Sequence, residues 1–299
     1  MSKESLHNQT NSLKASLARL ADLPLSEEAH AAVMEASEHA NELEKVLHGE
    51  VEELYFQVEQ TQTTKNKFVS VVTHELRLPL TSIRGYTDLL RGGMIGPLNE
   101  QQINFLNVIH TNVERMTTLI ADLSDISHLE TGRLKFAYQP TLFRVAVDEA
   151  LTHWQAKMEE KGLTVEIDIP ANLPAVQTDN IRLVQVLGYL LSNAYKYTPT
   201  GGKISIRCLL EDQVVRVEVV DTGIGISAAD QARLFQQFFR SEDEAVREFP
   251  GWGLALHLGK RLIEAMGGHM GVTSALKQGS TFWFTLPVRR DDETKETGS

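Results

Sequence analysis

Two sets of residues in this 299-residue chain could act on one substrate. The first is His74-Glu75, inside the stretch FVSVVTHELRLPL. Histidine is the side chain whose ordinary pKa, about 6.5, leaves much of it neutral and nucleophilic near neutral pH. A carboxylate beside it can orient the imidazole and take its proton. The second set is spread over the C-terminal half. Asn193-Ala-Tyr-Lys196-Tyr197-Thr-Pro is followed by Asp221-Thr-Gly223-Ile-Gly225, by Gly251-Trp-Gly253-Leu-Ala255 and by Gly279-Ser-Thr281-Phe. Glycines permit backbone angles and close approaches that side chains block. Each segment alone reads as an ordinary turn; it is their combination in this order that is specific.

The elements that must carry these residues change character near Gly132. Before it the pattern is helical almost throughout. Val33, Ala40, Leu47 and Leu54 recur every seven residues, the repeat of a coiled coil; a single amphipathic helix lying on a core would read similarly. The helical pattern runs on through Val71 and Val72 to Leu89 and Leu90, and breaks at Arg91-Gly92-Gly93 and Gly96-Pro97. A second run follows, with Ile103, Leu106, Ile109, Val113, Met116, Ile120 and Leu123 on one face. Two long helices joined by a short turn make a hairpin, and one hairpin cannot bury both apolar faces. A homodimer, closing a four-helix bundle, is therefore expected. Pro79 falls inside the first helix, where a bend is expected.

From about residue 140 strands and helices mix. Ala146 to Lys161, Thr178 to Tyr197, Ala229 to Phe239 and Leu254 to Met266 read as helices. Leu163 to Ile169, Lys203 to Leu210, Val214 to Val220, Gly271 to Ala275 and Ser280 to Pro287 read as strands. The fold class expected is α + α/β: an N-terminal helical coiled coil and hairpin, then an α/β sandwich. The expected divisions are 1–60, a helical segment; 61–135, the hairpin; 136–290, the sandwich; and 291–299, a charged, disordered tail.

Composition narrows the function. The chain is 42% hydrophobic and 23% charged, with a net charge of -11. An acidic chain without a basic block is a poor nucleic-acid binder. No stretch approaches the roughly 20 apolar residues of a membrane helix, and the N-terminus lacks a signal-peptide core. A cytoplasmic location is expected. The single cysteine, Cys208, excludes an internal disulfide and reads as a buried strand residue. None of the 10 histidines has zinc spacing; in HELRL, Leu78 stands where a zinc motif needs its second histidine.

The combination resembles the two-component sensor histidine kinases, whose ATP fold is shared with gyrase and Hsp90-type ATPases. The resemblance covers about residues 60 to 288. Phe68 to Leu80 looks like the family's phosphoacceptor box, and Leu234-Phe235-Gln-Gln-Phe238-Phe239-Arg240 like its phenylalanine box. The resemblance implies that His74 is phosphorylated from ATP, with Glu75 assisting, and passes the group to an aspartate of a response-regulator receiver domain. It implies that the Asn193 oxygen ligates Mg²⁺, a hard-donor ion, and that Lys196 neutralises phosphate charge; a solvated helix lysine is the plainer reading. It places Tyr197 near the nucleoside, where packing alone is the other reading. Asp221 would accept from the adenine amino group, Thr281 would support the adenine, and Gly223, Gly225, Gly251 and Gly253 would line the site. SEDEAVREFP reads as a mobile lid or an ordinary surface loop. At least one of the box phenylalanines is expected to anchor that lid, the others to be core.

The chain departs from the family at three places. Tyr189 stands where relatives carry Asn, or a catalytic Glu in the ATPases, so simple ATP hydrolysis should be poor and metal binding weaker. Ala255 replaces a usual third glycine and should stiffen the lid. Leu78 replaces a Thr or Asn that orients water, so phosphatase activity should be weak. A kinase-like signalling scaffold and a stand-alone ATPase are the alternatives. Acid-labile label at His74 from labelled ATP separates all three. The stimulus is not legible; residues 1–60 could receive a signal from a separate upstream sensor protein.

Overall fold

Apolar periodicity and capping residues set the elements, as follows. The computed structural model describes residues 71–94 and 96–288, together with the single residues Glu27, Met34 and Val69. The coiled-coil segment expected over 1–60 and the tail expected over 291–299 lie outside the described residues.

Helix α1 covers residues 71–91, and α2 covers Glu100–Glu130. Gly92 and Gly93 end α1, with the Gly92 amide donating to the Asp88 carbonyl at 2.9 Å. Asn99 starts α2 with a reciprocal capping box to Gln102. The helices run antiparallel, with Arg84 paired to Glu114 at 3.2 Å and His110 Nδ1 3.1 Å from Asp88. Assigned helix continues through Pro79. Around the proline, Thr81 and Ser82 hydroxyls donate to the Arg77 and Leu78 carbonyls one turn back. The hairpin's own buried cluster is small: Leu80, Val113 and Ile120. Leu76, Ile83, Leu89, Ile103, Ile109 and Met116 remain exposed on one chain.

The second half is a two-layer sandwich. Strands β2 (Thr164–Asp168), β4 (Lys203–Glu211), β5 (Val214–Asp221), β6 (His269–Ser274) and β7 (Ser280–Pro287) form a sheet in the order β2-β4-β5-β7-β6. Only β2 and β4 are parallel; the other pairs are antiparallel. Along β5 every second residue is buried, ending at Asp221. Helices α3 (Phe143–Thr152), α5 (Asn180–Tyr197) and α8 (Ala255–Ala265) join that face in one core. A small ribbon, β1 (Gln139–Thr141) against β3 (Val176–Thr178), was not legible in the sequence because each strand is three residues long.

Two expected helices are shorter than their apolar patterns. Ala146 to Lys161 breaks at His153-Trp154 into α3 and α4 (Gln155–Glu160). The break lets Trp154 lie 5.5 Å from the Tyr195 ring. Ala229 to Phe239 is helical only over α6 (Ala228–Gln231), capped by Ser227. Turns follow, and Phe238 takes a positive φ of 63° so that its amide reaches the Gly253 carbonyl. The segment read as a loop or mobile lid contains a helical turn, α7 (Glu244–Arg247), capped by Asp243.

Cys208 is fully buried in β4, as its apolar run implies. Burial, with a smaller contribution from Asp168, pushes its thiol up to about 12. A native-state thiol assay with a disulfide reagent at pH 8 should therefore label less than a tenth of the chains in the time that urea-unfolded protein is labelled fully.

Candidate nucleotide and phosphoacceptor site

Helix α5 brings most of the site together. Asp179 caps its N-terminus through the Arg182 amide, at 3.1 Å. Its buried face, Leu183, Val186, Leu187, Leu190, Leu191 and Ala194, fixes its rotation against the sheet. Asn193, Lys196 and Tyr197 are thereby left half-buried at its C-terminal end. Lys161 holds that end: its ammonium donates to the Tyr195 carbonyl at 2.6 Å and to the Lys196 carbonyl at 3.3 Å. A cation at a helix C-terminus is favourable there.

Asp221 ends β5 facing the same interior. Its Oδ1 accepts from the Gly223 amide at 2.8 Å, and the Ser280 amide also donates to it. Desolvation outweighs both bonds and raises the carboxyl to about 6. The Ile224 amide donates to the Tyr197 carbonyl at 3.2 Å, tying the loop after β5 to α5. A Cβ at Gly223 would stand 2.5 Å from that same Tyr197 carbonyl oxygen, so only glycine fits. Gly225 has φ of +71° and a hypothetical Cβ 1.9 Å from the Ala275 carbonyl oxygen.

Thr281 does not join this group. The register pairs Asp221 with Ser280, and Val220 with Thr281. Successive strand residues face opposite sides, so the Thr281 side chain lies on the sheet face away from Asp221. Ser280 is the hydroxyl on Asp221's face, 3.0 Å from the Ser274 hydroxyl. Its place is one residue from the one expected, and a one-residue shift in a strand reverses the face.

The segment after Arg240 closes over the end of α5. Arg240 donates to three carbonyls, those of Val246, Phe249 and Gly251, at 3.0, 2.6 and 3.0 Å. Phe249 packs edge-on to Tyr197, with centroids 5.7 Å apart, and lies 5.9 Å from the Lys161 ammonium. Phe249, outside the phenylalanine box, is thus the aromatic anchor of the segment. Of the box residues, Phe235 packs on the core and Phe238 is exposed. Gly253 turns with φ of +68° into Leu254 and the N-terminus of α8, where no side chain caps the first amides. Such amides suit phosphate. Gly251 lends its carbonyl to Arg240 and has open space around it. Ala255 is the first residue of α8, a position any residue can adopt.

His74 lies on α1 with its side chain 68% exposed, and its Nδ1 is 3.1 Å from Glu75 Oε1. With the proton on Nδ1, that nitrogen donates to Glu75 and the Nε2 lone pair faces outward. Leu78 is exposed one turn further on.

The C-terminal half, residues 178–290, matches the family described as histidine kinase-, DNA gyrase B-, and HSP90-like ATPase. Residues 64–132 match the His Kinase A (phospho-acceptor) domain. The chain belongs to the two-component sensor histidine kinases. It is 34% identical over 240 residues to the Non-motile and phage-resistance protein of Caulobacter vibrioides, covering 79% of this chain and 28% of that one. It is 36% identical over 225 residues to the Circadian input-output histidine kinase CikA of Synechococcus elongatus, covering 75% and 30%. The chain thus spans less than a third of the length of these two relatives. Full-length ShkA, crystallised with AMPPNP, superposes with a TM-score of 0.63 at 27% identity, over 74% of this chain and 45% of that one.

Within this kinase fold, Tyr189, one of the three departures read from the sequence, faces the hairpin. The Tyr189 hydroxyl donates to Asp122 of α2 at 2.5 Å and accepts from Gln185 at 2.9 Å. One turn along, Asp125 accepts from Arg182 at 2.6 and 3.1 Å and from Gln185 at 3.1 Å. Ile126 joins the sandwich core, with Leu119 and Leu129 packed against it. Tyr189 was visible as a departure, but its partner Asp122, 67 residues away in sequence, left no periodic or spacing signal.

Burial raises the Asp122 carboxyl to about 6, with the Tyr189 bond opposing and Asp125 adding to the rise. A carboxyl whose folded pKa lies above its ordinary 3.8 binds protons on folding. Stability therefore increases as pH falls from about 6 to about 4, and is lowest above 6. Asp122→Asn should stabilise the protein at pH 7 by up to about 3 kcal/mol, with the gain vanishing near pH 4. Urea unfolding of both proteins at the two pH values measures the difference.

Proposed function

We propose that the chain autophosphorylates His74 from ATP and passes the phosphoryl group to an aspartate of a response-regulator receiver domain. One observation carries this reading: a single chain holds an exposed imidazole oriented by a carboxylate and a buried acceptor, Asp221, backed by glycines. Asp221 would accept from the adenine amino group; guanine presents a carbonyl there and would meet a carboxylate. Its partial protonation near pH 6 would weaken that contact in acid. Tyr197 and Ser280 would flank the base, and Lys196 with the first amides of α8 would face the phosphates.

The Asn193 side-chain oxygen would hold a Mg²⁺ bound with the nucleotide. It is half-buried, and no hydrogen bond ties it up among the described residues. No group of three or more metal-ligating side chains exists there either, which suits an ion that keeps waters and phosphate oxygens as its other ligands. When bound, Mg²⁺ would neutralise charge on the phosphates.

In the transfer, the Nε2 lone pair attacks the terminal phosphorus as its bond to the bridging oxygen breaks, and ADP leaves. The imidazolium so formed shares its Nδ1 proton with Glu75, which can take it. The exposed Leu76, Ile83, Leu89, Ile103, Ile109 and Met116 support a homodimer, since a second hairpin would cover them. Among the described residues no helix is long and apolar enough to cross a membrane.

Incubation with labelled ATP and Mg²⁺ should give acid-labile, base-stable label on the wild-type chain and less than a hundredth of it on His74→Gln. Hydrolysis without label would favour an ATPase; neither would favour a scaffold. Leu78 cannot orient a water, so release of phosphate from a phosphorylated receiver should be slow. Leu78→Thr should raise that rate about tenfold or more, within the range that a single positioned general base or water contributes.

A further inference from the structure

The two rungs between α2 and α5 fix a register that extends beyond them. Asp125 meets Arg182 and Gln185, and Asp122 meets Tyr189, so the helices run antiparallel. Seven residues, about two turns, return to nearly the same helix face. Two turns before Asp122 lies Arg115; two turns after Tyr189 lies Lys196. Leu119, midway on α2, still packs against the sandwich core. That register carries Arg115 toward the Lys196 end of α5.

Their charges sense each other. Burial first, then the Arg240 guanidinium, then the Arg115 guanidinium, hold the Lys196 ammonium below the usual lysine range. Among the described residues no carboxylate pairs with Arg115, Lys196 or Arg240. Arg240 is bonded to neutral carbonyls, and the neighbouring Glu114 is paired to Arg84. Two guanidiniums without a carboxylate partner thus act on Lys196, one turn from Asn193, in a chain of net charge -11. An anion placed among them would relieve that repulsion, and a polyphosphate carries the charge to do so.

We infer that Arg115, on the hairpin, is a phosphate-binding residue of the nucleotide site, so that bound ATP bridges the hairpin and the sandwich. The inference rests on the nucleotide-binding reading above and adds a ligand from the helix outside the ATP fold. By linkage, a nucleotide that uses Arg115 holds the hairpin against α5 as firmly as the docked hairpin holds the nucleotide.

The test is titration calorimetry on the full chain with adenosine, ADP and ATP in the presence of Mg²⁺. Wild type, Arg115→Ala and Arg115→Lys are compared. Arg115 is exposed, so its truncation leaves the Asp122 and Asp125 contacts in place. Arg115→Ala should leave adenosine binding unchanged and weaken ATP about ten- to a hundredfold, the range of a charge-assisted hydrogen bond. ADP should lose less than ATP, and Arg115→Lys should recover most of the loss. Unchanged ATP affinity in Arg115→Ala would overturn the inference. So would an equal loss for adenosine and ATP, which marks a structural effect. A wild-type chain that binds adenosine and ATP equally weakly would remove the nucleotide reading itself, and this one with it.

Discussion

Burial of one face of α5 against the sheet is the constraint from which the other arrangements follow. Six apolar side chains on that face leave the helix a single rotation. Its remaining positions are then distributed by 3.6-residue geometry alone. Arg182, Gln185 and Tyr189 point to the hairpin, while Asn193, Lys196 and Tyr197 sit at the opposite end beside Asp221. A helix rigid by packing carries displacement from one end to the other without bending. The place where the hairpin is gripped and the place where phosphate is expected are therefore parts of one solid body.

Much of this was readable before any coordinates. The cap at Asp179, the apolar face of α5 and the strand patterns of β4 and β5 are local signals, and the elements formed within one or two residues of expectation. Failures came where local signals lose to distant ones. The apolar run from Ala146 to Lys161 would suit one helix, but Trp154 packs on Tyr195 and the chain breaks to allow it. Beyond Gln231 the pattern stays helical, yet the amide of Phe238 is claimed by the Gly253 carbonyl. Thr281 and Ser280 are indistinguishable by composition; only the pairing of β5 with β7 says which hydroxyl accompanies Asp221.

Electrostatics divide the molecule in a way that net charge hides. Two carboxylates, Asp122 and Asp221, are held near pH 6 mainly by desolvation. Asp221 is bonded to two amides, while Asp122 has the Tyr189 hydroxyl and the like charge of Asp125, so both resist ionisation at neutral pH. A group of cations, Lys161, Lys196 and Arg240, stands at the far end of α5. The opposition is useful at a site meant to exchange a highly charged guest: neither group is neutralised from within, and both remain responsive to what arrives.

The fastening of the segment over Tyr197 has its own arithmetic. A single guanidinium clasps three backbone oxygens, two from the outgoing arm and one from the returning arm at Gly251. Strings tied at one knot come loose together. Loss of that one side chain would remove all three bonds at once, the tie at Gly251 on the returning arm together with those at Val246 and Phe249.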